Sequence, residues 1–347
     1  MSILVTGAAG YIGSHAVKAL LARGDAVVGI DNFSEGKRGA VLALTALPGA
    51  AERFTFQECD IADTDAVAVI IRDHKVDSVL HFAAFANLRE SMTQPLKYFT
   101  NNTAKAIALL ETCDATDIRS FVFSSTCATY GDLPASDIPV TEDYPNRRPI
   151  NPYGHSKLAL EFALEDYADA RKAAGRPFAM SILRYFNVAG CDMDGLLGED
   201  RTPHIRIVPI LVEAALGRRP GVTIFGTDYP TPDGTCVRDY IHVDDLVEAH
   251  LAVLDALDPS AYDTRIYNLG IGKGHSIREL IDATQRVTGV TLSVSEGARA
   301  PGDPANLYCK PAKIERESGW SARITDIDAI IDSAHRWMKA HPDGFET

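Results

Sequence analysis

Thr6-Gly7-Ala8-Ala9-Gly10-Tyr11-Ile12-Gly13 is the stretch of sequence that decides the fold. It follows a short apolar run over residues 2–6 and leads into a helical pattern over residues 13–23. Glycines at such a point allow a tight turn, a close approach of the backbone to a pyrophosphate, and packing of the helix on the strand. The N-terminus of the following helix offers free N–H groups to the phosphates. The stretch therefore predicts a dinucleotide-binding turn.

An acidic residue stands where the second predicted strand ends. Asp31 follows the apolar run over residues 26–30, roughly 20 residues beyond the glycine turn, where a carboxylate accepts hydrogen bonds from the adenosine ribose hydroxyls. The same negative charge repels a 2′-phosphate. The sequence therefore predicts NAD as the cofactor, in preference to NADP.

Short apolar runs alternate with amphipathic ones through the first half of the chain. Six runs are typical of parallel strands covered on both faces, namely residues 2–6, 26–30, 54–57, 78–82, 120–123 and 179–185. Helical patterns lie between them, at residues 13–23, 63–74, 95–116 and 153 to about 174. This alternation predicts an α/β fold with a doubly wound parallel sheet, a Rossmann domain.

The last of these helices begins with a pair of residues that can carry chemistry. Pro152 suits its first turn, and Tyr153 and Lys157 are four positions apart, which places their side chains on one helix face. A free phenol has a pKa of about 10, and a nearby ammonium favours the phenolate. We therefore expect Lys157 to lower the pKa of Tyr153, so that the pair acts as a general acid and base.

Composition limits the partners and the compartment. The 347 residues carry a formal net charge of −13, which argues against nucleic acid or an anionic membrane as a partner. No apolar run is long enough to span a membrane, and Met1 leads directly into a strand, leaving no room for a signal peptide. The six cysteines are scattered without a C-x-x-C pair, so we expect neither a metal site nor disulfides, and a cytoplasmic location.

Eleven motifs give the chain a resemblance to a known family. They are residues 6–13, 31–32, 60–61, 81–84, 124–131, 153–157, 183–187, 224–231, 233–235, 237–243 and 267–270. The chain resembles the extended short-chain dehydrogenase/reductases and, within them, the UDP-glucose 4-epimerase family, from Ile3 to about His341. The block Asp233-Gly234-Thr235-Cys236-Val237-Arg238-Asp239-Tyr240-Ile241-His242-Val243 is the most diagnostic part.

The resemblance implies roles for individual residues. Tyr153 is the base, Lys157 tunes it and holds the nicotinamide ribose, and Thr126 hydrogen-bonds the sugar 4-oxygen. The implied cofactor-binding residues are Gly7, Gly10, Tyr11, Ile12, Gly13, Asp31, Asn32, Asp60, Ile61, Phe82, Ala83, Ala84, Asn101, Ser124, Tyr153, Lys157 and Tyr185. The implied substrate-binding residues are Thr126, Phe186, Asn187, Arg206, Ile224, Phe225, Arg238, Arg299, Asp303 and Leu307.

The resemblance also implies a domain organisation. Residues 1–187 are expected to form the NAD-binding Rossmann domain and residues 188–347 a smaller α/β domain that binds a UDP-sugar. The chain is expected to cross back to the first domain at about residues 237–257. The resemblance also implies a homodimer formed through the segments 95–116 and 153–174.

Four positions depart from the family pattern. Ala300 stands where a second arginine usually contacts the diphosphate. Arg206 stands where the family usually has a small polar residue or His before an apolar-apolar-Pro run, and either Arg299 or Arg206 is left to replace the missing charge. Ala86 replaces a lysine that some members direct at NAD. Leu307 occupies a position that helps to set the size of the sugar, where members carry a bulky Tyr or a small Cys or Ser.

The expected activity is an NAD-dependent 4-epimerase of galactose metabolism. It interconverts UDP-glucose and UDP-galactose through a 4-keto sugar, with transient hydride transfer to tightly bound NAD. Alternatives are the same chemistry on UDP-xylose/UDP-arabinose or UDP-N-acetylglucosamine, a sugar-nucleotide 4,6-dehydratase, and a catalytically inactive NAD-binding regulator. Cys127-Ala128 after Thr126 argues against the dehydratase, which needs an Asp-Glu pair there. The presence of both Tyr153 and Lys157 argues against the inactive regulator.

Overall fold

A computed structural model of the chain describes residues 2–300 and 304–345. The strands within them are β1 Ser2–Thr6, β2 Ala26–Asp31, β3 Phe54–Glu58, β4 Ser78–His81, β5 Ser120–Thr126, β6 Ala179–Tyr185, β7 Asn187–Ala189, β8 Val222–Phe225, β9 Val237–His242, β10 Thr264–Leu269, β11 Gly274–Ser276, β12 Val294–Gly297 and β13 Asn306–Leu307. The helices are α1 Tyr11–Arg23, α2 Arg38–Thr45, α3 Ala50–Arg53, α4 Thr64–Asp73, α5 Leu88–Thr93, α6 Pro95–Tyr98, α7 Lys105–Ala115, α8 Pro152–Ala173, α9 Ile207–Ala215, α10 Val243–Ala256, α11 Ile277–Thr288, α12 Ala312–Ser318 and α13 Ile327–Ala340.

The central layer is a seven-stranded sheet in the order β10-β6-β5-β4-β1-β2-β3. Each neighbouring pair of strands is parallel. The chain order reverses between β1 and β4, and a doubly wound sheet opens a crevice at that point, outside the carboxyl ends of its strands. The predicted α/β class and parallel sheet are confirmed, as are all six predicted strands of the first half.

Helices cover both faces of this sheet, which explains why its strands are apolar throughout. One face packs on α1 and α10 through residues such as Val17, Leu20 and Leu246. The other packs on α4, α7 and α8 through residues such as Ile70 and Leu160. The predicted helix over residues 95–116 is present as α6, a π-helical turn over Phe99–Ala104, and α7 in succession.

A smaller region lies over the carboxyl edge of the large sheet. It contains the strands β7, β9, β11 and β13 in one sheet, the parallel pair β8 and β12, and a core shared by α9, α11 and α13. The sequence of the second half predicts helices over residues 208–216, 244–257, 276–288 and 327–339 and strands over residues 222–225 and 237–241. The structure has α9, α10, α11 and α13 and the strands β8 and β9 at these places.

The chain passes back to the large sheet after β9. Helix α10 packs on α1, and β10 pairs with β6 as an edge strand of the large sheet. Residues 188–347 therefore do not lie in the smaller region alone. Strand β10 was not predicted, because Arg265 and Asn268 interrupt its apolar pattern. An edge strand is covered on fewer sides than a central one, so it can carry such residues.

Candidate active site

A cavity of about 790 Å³ opens at the carboxyl ends of the parallel strands. Every predicted cofactor residue lines it: Gly7, Gly10, Tyr11, Ile12, Gly13, Asp31, Asn32, Asp60, Ile61, Phe82, Ala83, Ala84, Asn101, Ser124, Tyr153, Lys157 and Tyr185. Seven of the predicted substrate residues line it as well: Thr126, Phe186, Asn187, Arg206, Phe225, Arg238 and Leu307. Two groups of residues that are distant in sequence thus face one space.

The glycine turn between β1 and α1 has no room for side chains. Gly7 has a φ of +73°, and a Cβ there would lie 2.8 Å from the backbone nitrogen of Ala83. A Cβ on Gly13 would lie 2.0 Å from the Gly7 carbonyl oxygen. Helix α1 begins after Gly10 with no side-chain cap and no acidic residue in its first turn. Its N–H groups are therefore available to an anion, so the turn fits the pyrophosphate of a dinucleotide.

Asp31 is held at the end of β2 by backbone contacts. Its carboxylate accepts hydrogen bonds from the N–H groups of Ala9 at 3.1 Å and Phe33 at 2.8 Å. Burial raises the pKa of Asp31, while these two N–H groups lower it. A fixed carboxylate at this edge of the cavity fits the ribose hydroxyls of NAD and disfavours a 2′-phosphate.

A second carboxylate is held by hydrogen bonds in the part of the cavity that the resemblance assigns to the adenine. Asp60 accepts hydrogen bonds from the side chains of Asn32 at 2.8 Å and Lys105 at 2.5 Å. Burial raises the pKa of Asp60, but hydrogen bonds from Lys105, Ala62 and Asn32 outweigh that effect and lower it. Lys105 is one of the residues that the sequence did not single out, although it fixes a predicted one.

The predicted catalytic side chains come from two elements. Tyr153 and Lys157 lie one turn apart at the start of α8, where the Asn151 side chain caps the helix by accepting the N–H of Gly154 at 2.8 Å. Thr126 ends β5, and its hydroxyl lies close enough to Tyr153 to lower the pKa of that phenol. Its hydroxyl also accepts the N–H of Ala128 at 3.1 Å, so Thr126 both caps the following turn and contacts the tyrosine.

Burial is the main influence on the pKa values of the pair. It raises the pKa of Tyr153 to about 12, against the hydrogen bond from Thr126 and the positive charge of Arg206. It lowers the pKa of Lys157 to about 7, against the negative charge of Glu161. The expectation that Lys157 brings the pKa of Tyr153 below its usual value is therefore wrong for this state of the site. The Lys157 ammonium instead donates to the Ser124 carbonyl oxygen at 2.7 Å.

The side of the cavity that is lined by the predicted substrate residues combines one apolar and one cationic surface. Phe225 is 44% exposed, and the guanidinium of Arg89 lies 4.7 Å from the centre of its ring. Arg238 is buried, and its Nη1 and Nη2 donate to the carbonyl oxygens of Val237 at 2.8 Å and Pro304 at 2.6 Å. Arg89 was not predicted, because nothing in its local sequence marks a residue of the first half as a neighbour of β8.

Arg206 and Arg299, the two candidates for the second diphosphate arginine, have different positions in the structure. Arg206 lines the cavity immediately before α9, where it donates to Glu199 at 2.5 Å and lies 5.3 Å from the ring centre of Tyr11. Arg299 does not line the cavity. It pairs with Asp228 at 2.7 Å and lies 4.2 Å from the ring centre of Tyr229.

A second predicted substrate residue, Ile224, is not brought to the cavity surface. Ile224 is 2% exposed and belongs to the core of the smaller region, because side chains alternate along β8 and its neighbour Phe225 takes the outward position. Asp303 lies outside the described residues.

Leu307 lines the cavity and also packs into a small apolar cluster. Its neighbours in the cluster include Cys127, Phe186 and Cys309. The side chain is almost fully buried, so its contribution to the cavity is a short apolar section of wall. A hydroxyl or a ring is absent at this position.

The fold and this site define a dinucleotide-binding α/β protein with a tyrosine–lysine pair beside the cofactor turn. The model of the NAD dependent epimerase/dehydratase family matches residues 3–270. The chain belongs to that family.

Curated relatives and solved structures extend the similarity over the whole chain. UDP-glucose 4-epimerase of Lacticaseibacillus casei is 44% identical over 345 residues, covering 99% of both chains. Probable UDP-arabinose 4-epimerase 3 of Oryza sativa subsp. japonica is 43% identical over 347 residues, covering 99% of this chain and 83% of the relative. The crystal structure of UDP-glucose-4-epimerase from Stenotrophomonas maltophila, with bound NAD and formylated UDP-arabinopyranose, superposes with a TM-score of 0.92 at 36% identity, covering 99% of both chains.

The described part of the chain holds neither a membrane span nor a metal site. Between residues 2 and 300 and between 304 and 345, no helix has the length and apolar character to cross a membrane. Over those two ranges, no three His, Cys, Asp or Glu side chains are grouped so that they could hold a metal ion.

Proposed function

We propose that this protein is a UDP-sugar 4-epimerase that holds NAD through its catalytic cycle and acts mainly on UDP-glucose and UDP-galactose. The observation that carries the proposal is the meeting of Tyr153, Thr126 and Lys157 in the cavity that also contains the glycine turn and Asp31. A base, a hydroxyl that orients the sugar and a dinucleotide cradle are the parts that this reaction needs at one point.

Tyr153 acts on the proton of the sugar 4-hydroxyl. As a phenolate it takes that proton, and it returns the proton to the 4-keto oxygen once the sugar has turned over. Thr126 holds the 4-oxygen against the phenol. NAD held by the glycine turn and Asp31 would supply the hydride transfer away from C4 and back to it.

Lys157 supports the base through its position and its charge. With a pKa of about 7, the Lys157 side chain can carry a proton or release it near neutral pH. Its charged form lies one helical turn from Tyr153 and offsets part of the cost of a buried phenolate. Because burial raises the pKa of Tyr153 to about 12, this support is needed for activity near neutral pH.

The nucleotide is held firmly while the sugar is free to rotate. Phe225 and Arg89 present a flat surface for the uracil, and Arg238 and Arg206 supply cations for the diphosphate. Guanidinium groups suit phosphate oxygens because their donors form a planar fork. Leu307 offers no hydrogen bond to the sugar, so turning the ring about its diphosphate link breaks no contact with this residue.

A second candidate is the 4-epimerisation of UDP-arabinose and UDP-xylose. The observation that favours it is the apolar, hydroxyl-free wall at Leu307, which a smaller pentose satisfies as well as a hexose. The Oryza relative named as a probable UDP-arabinose 4-epimerase supports it too.

A sugar-nucleotide dehydratase and an inactive regulator have weaker support. The three residues after Thr126 form a 3₁₀ turn, Cys127–Thr129, without a carboxylate for dehydratase chemistry. An inactive regulator would not need the Tyr153–Thr126 contact inside the cavity.

We also propose that the protein is a cytoplasmic homodimer. Apolar side chains are exposed along the segment from α6 to α7 and on α8, including Leu96 at 78% and Phe162 at 46%. A second copy that packs the same helices against them would cover these surfaces. All six cysteines are free thiols, which suits a reducing compartment. Sedimentation velocity of wild type and Leu96→Glu tests the dimer, and a monomeric wild type contradicts it.

The proposed activity is tested with purified protein and UDP-galactose, with no cofactor added. We expect UDP-glucose to form until UDP-glucose and UDP-galactose reach equilibrium, without stoichiometric release of NADH. UDP-arabinose assayed in parallel decides between the two sugar classes. A protein that carries no dinucleotide, or that converts neither nucleotide sugar, contradicts the proposal.

A further inference from the structure

A buried polar network lies next to the catalytic side chains and outside the cavity lining. It joins Glu161 of α8, Arg184 of β6, Tyr130 and Asn268. Three of these residues, Tyr130, Arg184 and Asn268, lie within family motifs, although the resemblance implies no role for them. Burying such a network costs free energy unless each polar group has a partner. Its position beside the site therefore suggests that it has a role there.

Glu161 is the centre of the network. Its side chain is 0% exposed. Oε1 accepts the Ser125 hydroxyl at 2.5 Å and Arg184 Nε at 3.1 Å, and Oε2 accepts Arg184 Nη2 at 2.7 Å. Arg147 approaches Oε2 from a loop at 3.3 Å. The two-point contact with Arg184 fixes the orientation of the carboxylate as well as its position.

These contacts connect the elements that carry the catalytic groups. Tyr153, Lys157 and Glu161 follow one another at intervals of four on the same face of α8. Ser125 lies between Ser124, whose carbonyl accepts the Lys157 ammonium, and Thr126. Arg184 directly precedes Tyr185, which lines the cavity. Glu161 thus ties α8 to β5 through Ser125 and to β6 through Arg184, the immediate neighbours of Thr126 and Tyr185.

We propose that Glu161, paired with Arg184, is a positioning residue for the epimerisation, holding Tyr153, Lys157 and Thr126 in their mutual arrangement and providing the anion beside the Lys157 ammonium. The inference rests on the proposed function, since it concerns the same three residues. It assigns a task to a residue that touches neither sugar nor cofactor.

The charges around Lys157 agree with this role. From its own helix Lys157 faces Tyr153 and Glu161, and from β4 it faces His81, which burial keeps neutral by lowering its pKa to about 3. The Phe123 ring centre on β5 is 4.8 Å from the ammonium nitrogen. Glu161 is therefore the anion that raises the pKa of Lys157 against the effect of burial, while Arg184 and Arg147 face Glu161 from β6 and the loop.

The same helix offers a matched control. Glu165 lies one turn beyond Glu161, is partly exposed, and contacts the same Arg147 at 3.4 Å. It contacts neither Ser125 nor Arg184. Glu161→Gln and Glu165→Gln remove the same charge from neighbouring turns of α8, and only the first removes it from the network.

The experiment compares the two variants as holoenzymes. A misplacement of about 1 Å in a catalytic group can cost roughly 100-fold in rate, so we expect Glu161→Gln to lower kcat by about 10- to 100-fold with little change in KM. The alkaline limb of its pH–rate profile moves to lower pH, because Lys157 loses its proton more easily. Glu165→Gln stays close to wild type in both measurements.

A readout without sugar accompanies the kinetics. Tyrosine ionisation is followed by absorbance at 295 nm. Subtracting the titration of the matching Tyr153→Phe protein isolates the contribution of Tyr153. The other titratable or charged groups that face Tyr153 are Cys127, Arg206 and Tyr185. We expect the Tyr153 titration to move to higher pH in Glu161→Gln, because a displaced Thr126 hydroxyl no longer lowers the pKa of Tyr153. A Glu161→Gln protein with a lower Tm but wild-type kcat, pH profile and Tyr153 titration overturns the inference, because the network is then only structural.

A milder variant covers the case in which Glu161→Gln does not fold. Ser125→Ala removes one contact of the carboxylate and leaves the ion pair intact. We expect a severalfold lower kcat at unchanged KM, and an unchanged kcat overturns the inference. If wild type and Glu165→Gln both fail to convert UDP-galactose, the proposed function fails, while the Tyr153 titration still tests the positioning role.

Discussion

Arg206 and Arg299 provide a direct test of how the diphosphate is held. The prediction is that Arg206→Met weakens UDP binding and Arg299→Met does not. Arg206 lines the cavity, whereas Arg299 pairs with Asp228 outside it. The two variants remove the same charge from the same smaller region, so each serves as the control for the other.

The magnitude follows from the contacts that Arg206 can make. Hydrogen bonds to charged groups contribute about 1.5–3 kcal/mol, and each 1.4 kcal/mol is about tenfold in affinity. Losing one such contact to the diphosphate therefore raises the Kd for UDP by about 10- to 150-fold. Arg299→Met changes only an exposed surface pair, and such pairs contribute little because solvent screens them.

Glu199 also affects the result expected for Arg206→Met. Arg206 donates to this buried carboxylate at 2.5 Å, so Arg206→Met leaves an unpaired anion close to the diphosphate. We expect Arg206→Met to bind UDP more weakly than the double variant Arg206→Met/Glu199→Gln, because the double variant removes the repulsion along with the attraction.

Isothermal titration calorimetry with UDP at one fixed salt concentration measures all of these values. It needs no turnover, so an effect on chemistry does not disturb it. A tenfold or larger loss of affinity in Arg299→Met, with Arg206→Met near wild type, would refute the assignment of the second diphosphate cation.

Three further substitutions test the remaining roles. Tyr153→Phe should keep the fold and bind NAD and UDP-sugar but lose roughly 10²–10⁴ in kcat, and near wild-type turnover would remove Tyr153 from the mechanism. Asp31→Ala should release NAD more readily on dialysis and accept NADP better, because the carboxylate at the end of β2 is lost, and unchanged retention and selectivity would contradict its role. Leu307→Tyr should lower kcat/KM for UDP-N-acetylglucosamine relative to UDP-galactose, because the larger ring takes up space that the acetamido group needs. A methylene-sized change in an apolar pocket typically changes discrimination by about 1–3 kcal/mol. A constant ratio would show that Leu307 does not limit the size of the sugar.

The large sheet could be predicted from the sequence because each of its central strands is short and apolar on both faces. Strand β5 is buried at every position from Ser120 to Thr126, and such a run has few interpretations between two helical patterns. Strand β10 escaped prediction because its place in the sheet depends on pairing with β6, which precedes it by about 80 residues. Long-range pairing leaves no local signal.

The cofactor half of the site was predictable for a similar reason. The glycine turn, Asp31 and the Tyr153–Lys157 pair are each defined within a few residues of sequence. The choice between Arg206 and Arg299 was not, because it depends on how the loops before α9 and after β12 run in space. Glu161 had an available signal in its spacing from Tyr153 and Lys157, but a glutamate on a helix is ordinarily exposed, and its burial against Arg184 is set by the tertiary structure.

The pairing of β10 with β6 also has a consequence for how the chain is made. On a ribosome, β6 is complete at Tyr185, but its partner ends at Leu269, so the edge of the nascent sheet stays open while more than eighty further residues are synthesised. An uncovered parallel strand is a template for pairing with other chains. A fragment ending near residue 187 would keep that edge open permanently. Such a fragment should aggregate, although it contains the entire dinucleotide turn.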